Sequence, residues 1–223
     1  MTEERKVEAY LGEYASGKSE IALNRALDLA KKGEKVTLVD MDLVEARYCI
    51  RGIKSLLNSR GVDVVSLATK RTVKIDESGD SYSEDAKHVL EREGNIIFDV
   101  GYGARGLRLL QHVQGAENDP LLQLIMVINT NRKVTRGVQE IIEYSKRFWR
   151  LDGVLSNTNT GANTTEDVLL NGLHIAEDAA DRLALPVVGV GVSRALFRDD
   201  AHLLTQITPE EIRWLRNWMP KSI

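Results

Sequence analysis

The stretch Gly12-Glu13-Tyr14-Ala15-Ser16-Gly17-Lys18-Ser19 constrains this chain more than any other. Its spacing is G-x-x-x-x-G-K-[ST], the pattern of a loop that wraps phosphate. Glycines let the backbone curl so that successive N–H groups point inward at anionic oxygens. A lysine at the sixth step beyond the first glycine reaches the outer phosphates, and the next hydroxyl can ligate Mg²⁺. The flanks supply the required context. Val7 to Leu11 reads as a short strand, and Glu20 to Lys32 as a helix with apolar Ile21, Leu23, Ala26, Leu27, Leu29 and Ala30. That helix turns its positive end toward an anion in the loop. The bland alternative is a glycine turn that happens to precede a helix.

The 223 residues suit one α/β domain over 1–223. A net charge of −3 gives no push toward nucleic acid as a bulk partner. The one cysteine, Cys49, rules out an internal disulfide and a cysteine-only metal site, and reads as a small buried apolar residue. The sequence shows neither a bilayer-spanning run nor a signal-peptide core, so a cytoplasmic address is the expectation.

Along the chain, Lys35 to Val39 forms a second apolar strand running into Asp40-Met41-Asp42. Carboxylates at the carboxyl end of a parallel strand sit where open α/β sheets bind ligands. One can face a metal's water shell while the other, on the turn beyond, faces a terminal phosphate; a helix cap for 43–58 would account for only one. Val62 to Leu67 is a third strand, Lys70 to Ser83 a polar loop without an assigned role, and Tyr82 to Glu93 a helix. Asn95 to Asp99, followed by Val100-Gly101, repeats the motif of an apolar strand ending in an acid. There Asp99 would hold Mg²⁺ and Gly101 would let a backbone N–H approach the γ-phosphate. Leu121–Ile128, Leu151–Ser156 and Pro186–Val192 are further strands, and Val134–Trp149 and Thr164–Leu183 are helices. The alternation implies a doubly wound, mostly parallel sheet in a three-layer sandwich. Thr208-Pro209-Glu210-Glu211 reads as a capping box that starts a C-terminal helix over about 208–219, carrying Ile212, Leu215 and Trp218 on one face. It packs on the domain, with docking on a membrane surface or a partner as the sharper alternative.

Taken together, the loop, the Val39-Asp40-Met41-Asp42 acids and Phe98-Asp99-Val100-Gly101 resemble the MinD/ParA/CobQ–CobB group of P-loop ATPases, within the SIMIBI class, to about Val192. The resemblance implies ATP and Mg²⁺ as ligands. It implies nucleotide contacts from Gly12, Glu13, Tyr14, Ala15, Ser16, Gly17, Lys18, Ser19 and Glu20, with Gly101 at the γ-phosphate. Ser19, Asp40 and Asp99 would serve the metal, and Lys18 and Asp42 the chemistry, Asp42 positioning the attacking water. Asn157 resembles the asparagine that contacts adenine in this group, and Val192 lies in the segment lining the other side of the base. The guanine signature Asn-Lys-x-Asp is absent, since the chain reads Asn157-Thr158-Asn159-Thr160. Partition ATPases of this group place an extra lysine at the loop's second position; here it is Glu13, which cannot stabilise developing phosphate charge. Arg47, Arg51 and Arg105 are candidates for the missing cation, and plain exposed arginines are the alternative for each.

Three functions fit these residues. One is a slow ATPase switch read by a protein partner or a second copy of the chain. Another is an ATP-dependent ligase or kinase of the dethiobiotin synthetase type acting on a small carboxylate. The third is a module that binds ATP without hydrolysis.

Overall fold

Each apolar run becomes a strand because its side chains divide between two buried faces. In a computed structural model that describes residues 4–42, 50–67, 83–101, 103–197, 202–208 and 212–219, β1 (Val7–Gly12) sends Val7, Ala9 and Leu11 to one face and Tyr10 to the other. The strands β2 (Val36–Asp40), β3 (Val62–Ser66), β4 (Asn95–Asp99) and β5 (Leu122–Ile128) follow the same period of two. With β6 (Gly153–Ser156), β7 (Val187–Ser193) and β8 (Ile212–Leu215) they form one eight-stranded sheet in the order β3-β2-β4-β1-β5-β6-β7-β8. Every pairing among the described residues is parallel. The chain therefore folds as the doubly wound α/β sandwich that the alternating pattern implies.

On one face, α1 (Lys18–Lys31) buries Ile21, Leu23, Ala26, Leu27 and Leu29. Its chain reverses at Gly33, whose φ of 83° favours glycine. The short α2 (Lys54–Asn58) lies on the same side, contributing Leu57 to that core. The expected helix over 82–93 is instead α3 (Glu84–Lys87) and a separate 3-10 turn, Val89–Glu91. The opposite core takes Leu107 of α4 (Gly103–Leu107), Ile141 and Tyr144 of α5 (Val138–Ser145) and Ala176 of α6 (Glu166–Leu183). The helix expected from Val134 is broken. Lys133–Thr135 is a 3-10 turn, and Gly137 is extended at φ −151° before α5 starts. Cys49 and all but the last residue of the 70–83 loop lie outside the described residues.

The largest correction concerns the C-terminus. No helix spans 208–219 among the described residues. Ile212–Leu215 is a strand paired parallel to β7, with α7 (Arg194–Phe197) and α8 (Leu203–Gln206) between them. Its side chains alternate: Ile212 and Trp214 join the cluster under α6, while Leu215 packs with α1. Pairing with β7 covers what would be an exposed edge. Those backbone bonds and the two-sided burial outweigh a local helix signal. The half-buried Trp214 packs against the cluster under α6 and the half-buried Trp218 against the cluster that contains α1, so the two lie on opposite faces of the sheet rather than on one helical stripe. Among the described residues, no helix is long and apolar enough to cross a membrane.

Candidate functional site

β1 ends and α1 begins at the centre of the sheet, where the chain first winds one way and then the other. Open α/β sheets bind ligands at such switch points. Between the two elements the backbone turns through Ala15, at φ 55°, and Gly17, at φ 89°. The turn is held from outside. Arg132 Nε donates to the Ala15 carbonyl at 3.1 Å, and Asn157 Nδ2 to the Ser16 carbonyl at 2.8 Å. Carbonyls pinned outward turn adjoining amides inward, which is how a backbone nest for anions is made. Glycine is required at both ends. A Cβ on Gly12 would lie 2.7 Å from Ser16 Oγ and from the Val127 carbonyl, and one on Gly17 would strike the Asn157 amide. Lys18 is buried at the start of α1, and Tyr14 stands 67% exposed on the rim. The Glu13 carboxylate folds back to accept from the Tyr14 N–H at 2.9 Å.

The two acid-ended strands lie side by side, with Asp40 paired in register to Asp99. Both carboxylates are buried. Burial first, then the charge of Asp99, pushes Asp40 up to about 7 against the pull of Arg51. Burial likewise pushes Asp99 up to about 6, opposed by the Lys18 charge and the Ser19 hydroxyl. Arg51 Nε stands 3.2 Å from Asp40 Oδ2 as an ion pair. Neither that oxygen nor Asp99 Oδ1 has a hydrogen-bond partner. A buried carboxylate oxygen without a partner, on Asp99 beside the Ser19 hydroxyl, is the kind of hard donor that Mg²⁺ takes. Among the described residues no group of three or more His, Cys, Asp or Glu is placed to hold a metal. Asp42 donates its N–H to Asp40 at 3.0 Å, and its side chain lies against Gly101, where a Cβ would be 3.0 Å from Asp42 Cγ. Of the candidate cations, Arg51 is thus engaged with Asp40, Arg105 is exposed on α4, and Arg47 lies outside the described residues.

A cavity of about 140 Å³ opens beside Gly17. Asn157, Asn159, Ser193 and Phe197 line it, together with Leu215 and Asn217 from the C-terminal segment. The structure places three of the expected contacts as follows. Val192 faces the core under α6, because on a strand only its neighbours Gly191 and Ser193 can point to the other side. Asn157 lines the cavity, its Nδ2 donating to the loop carbonyl while its Oδ1 has no hydrogen-bond partner. Glu20 accepts from the backbone N–H groups of Trp218 and Met219.

The sheet and the loop between β1 and α1 define the fold: the chain has the α/β P-loop NTPase fold. Solved structures of that fold match it over most of its length. FtsY, a cell division protein of Thermotoga maritima, superposes with a TM-score of 0.58 at 20% identity, covering 86% of this chain and 63% of that one. The signal recognition particle receptor FtsY of Elizabethkingia anophelis, in complex with GDP, gives 0.58 at 16% identity, covering 86% and 58%. The Signal Recognition Particle 54 kDa protein of Aeropyrum pernix, also with GDP, gives 0.53 at 16%, covering 85% and 42%. The chain thus spans about three fifths of the length of these two FtsY structures. These structures carry the fold, and none of them carries the narrower MinD/ParA/CobQ–CobB grouping. No family model and no curated protein matches the chain.

Sequence reasoning missed several residues around the loop. Arg132 follows β5 in a polar turn that gives no sign of its contact with Ala15. Gly103, at φ 54°, brings the start of α4 against the Tyr144 hydroxyl and the Gly12 carbonyl, and a Cβ on Gly106 would overlap the Gly101 carbonyl. The cluster Gly101, Gly103, Gly106 was the available signal: glycines spaced this closely after a strand mark close backbone approach.

Proposed function

We propose that the chain binds a purine nucleoside triphosphate with Mg²⁺ at Gly12–Ser19, hydrolyses it slowly, and presents different surfaces to a protein partner before and after. One observation carries this reading: a glycine turn with its Ala15 and Ser16 carbonyls pinned outward stands beside two buried carboxylates, of which Asp99 retains an unpartnered oxygen and Asp40 is paired with Arg51. Lys18 and the loop amides bind the phosphates, while Ser19, Asp99 and Asp40 hold the metal and its waters. Bound there, Mg²⁺ supplies charge neutralisation along the phosphate chain. Asp42, seated on Gly101, orients the attacking water. The support for a switch is the close approach of Gly106 to the Gly101 carbonyl, which ties the end of β4 to α4. Glu13 stands where partition ATPases carry a lysine, which favours action without a nucleotide-sandwich dimer.

ATP is the proposed nucleotide. Among the described residues lining the base cavity the one carboxylate is Glu20, and it is bonded to backbone amides. A second reading, GTP, is favoured by the GDP held in two of the similar solved structures. Titration of fluorescent ATP and GTP analogues decides between them. Turnover of the wild type against Lys18→Ala and Asp42→Ala tests the chemistry. We expect losses of at least about a hundredfold in both variants, and equal turnover in all three proteins refutes the catalytic assignment.

A further inference from the structure

We infer that the chain's own C-terminal segment closes the nucleobase site, and that Asn217 reads the edge of the base. This rests on the nucleotide-binding reading above and adds a wall which that reading does not contain. The cavity of about 140 Å³ is a fraction of the 300–1,000 Å³ usual for a whole ligand. It is room for one flat heteroaromatic ring system, next to a loop that takes the phosphates. Two of its walls come from the ends of β6 and β7. The third is Leu215 and Asn217, contributed from the far end of the chain.

That third wall is built in place. β8 pairs with β7, setting Leu215 opposite Ser193. Beyond the strand, Asn24 and Arg216 exchange two hydrogen bonds, Asn24 Nδ2 to the Arg216 carbonyl at 2.9 Å and Arg216 N–H to Asn24 Oδ1 at 3.0 Å. Glu20 Oε1 accepts from the N–H groups of Trp218 at 3.0 Å and Met219 at 2.7 Å. Trp218 Nε1 donates to Asn24 Oδ1 at 3.1 Å, and the Arg60 guanidinium lies 4.6 Å from the centre of the Trp218 ring. Asn217 therefore sits between two residues fastened to α1, the helix that begins at Lys18. Its exposed side chain borders the cavity without being needed to hold the segment.

The chemistry selects a base. An asparagine amide offers one donor and one acceptor side by side, complementary to adenine, which presents an amino group next to a ring nitrogen. The Watson–Crick edge of guanine offers two adjacent donors and fits a carboxylate. The cavity's carboxylate, Glu20, is committed to the segment's amides. Leu169, Phe197 and Leu215 supply apolar surface for the ring faces.

Competition against a fluorescent ATP analogue tests this in the full chain, with MgATP, MgGTP and magnesium tripolyphosphate as the competing ligands. Asn217→Ala is expected to weaken ATP about tenfold while leaving tripolyphosphate within about twofold. Asn217→Asp is expected to move the ATP-to-GTP preference about tenfold toward GTP. ATP binding unchanged in both variants, or ATP and tripolyphosphate weakened equally, overturns the inference. Wild-type protein that fails to bind tripolyphosphate overturns the phosphate-loop reading instead, so the two failures are told apart.

Discussion

At the scale of single residues, Asn157 shows how one side chain can hold two meanings. Its place at the end of an apolar strand invites a role in reading the base. In the fold it is buried and donates to the Ser16 carbonyl, and Gly17 has no room for a Cβ because the same amide occupies that space. The two roles predict different losses. A base reader affects nucleotide binding alone, whereas a clamp on the loop affects every ligand with phosphates. Asn157→Ala leaves a buried carbonyl unpaired, at a cost of about 1–3 kcal/mol. We expect it to weaken MgATP and magnesium tripolyphosphate alike, by about tenfold. Competition titration with both ligands is the measurement, and a loss confined to ATP restores Asn157 as a base contact. Residue identity was thus legible from the sequence while residue partner was not, because the partner lies 141 positions away.

At the scale of elements, the junction of β1 and α1 carries a buried ion pair that strand periodicity does not announce. Glu8 faces α1, where Arg25 donates to it through Nε at 2.9 Å and Nη2 at 2.7 Å, and the Tyr10 hydroxyl donates at 2.7 Å. Burial pushes the Glu8 carboxyl up, but the bonds and charge of Arg25, the Tyr10 hydroxyl and the charge of Arg213 outweigh it and leave it below its ordinary 4.5. A carboxyl held low contributes stability that is complete above its unfolded value and disappears as pH falls through the folded one. Acid unfolding of the wild type is therefore expected to begin below about pH 4.5 with Glu8 contributing to it. Glu8→Gln strands the Arg25 charge and should cost about 3–5 kcal/mol at pH 7. It should also remove part of the loss of stability that wild type shows as pH falls below about 4.5. Urea unfolding across that range reads both effects, and a variant with the wild-type acid limb rules Glu8 out as its source. The elements themselves were mostly legible. β1, β2, β4, β5 and β6 stand where runs of apolar residues stop at acid, asparagine or glycine, β3 and β7 where they stop at serine, and α1 and α6 where the helical period persists for several turns. The shorter helices were not. Gly137 splits one expected helix, and the 84–91 segment ends after a single turn of α3 and a separate 3-10 turn.

At the scale of the whole molecule, the phosphate loop, the acid-ended strands and the C-terminal segment all meet on α1. A ligand bridging them binds the folded chain alone and stabilises it by mass action, about 2.7 kcal/mol at a hundred times its dissociation constant. For a chain of 223 residues that corresponds to a rise in Tm of about 5–10 °C with MgATP. Lys18→Ala is expected to abolish the rise. Differential scanning calorimetry measures it, and a shift that survives in Lys18→Ala places the nucleotide elsewhere. What the sequence by itself determined was local: a glycine turn between strand and helix, acids at two strand tips, and the alternation that makes a parallel sheet. These follow from backbone geometry and from periods of two and 3.6 residues, which neighbouring positions encode. The tertiary structure decided which way the paired surfaces face and what the tail becomes. Residues 212–215 are a strand because β7 offers an edge, and the residues after them lie on α1 because Glu20 and Asn24 offer acceptors to amides nearly two hundred positions away. A capping-box sequence can state a preference for helix, but only the folded sheet supplies the hydrogen-bond partners that override it.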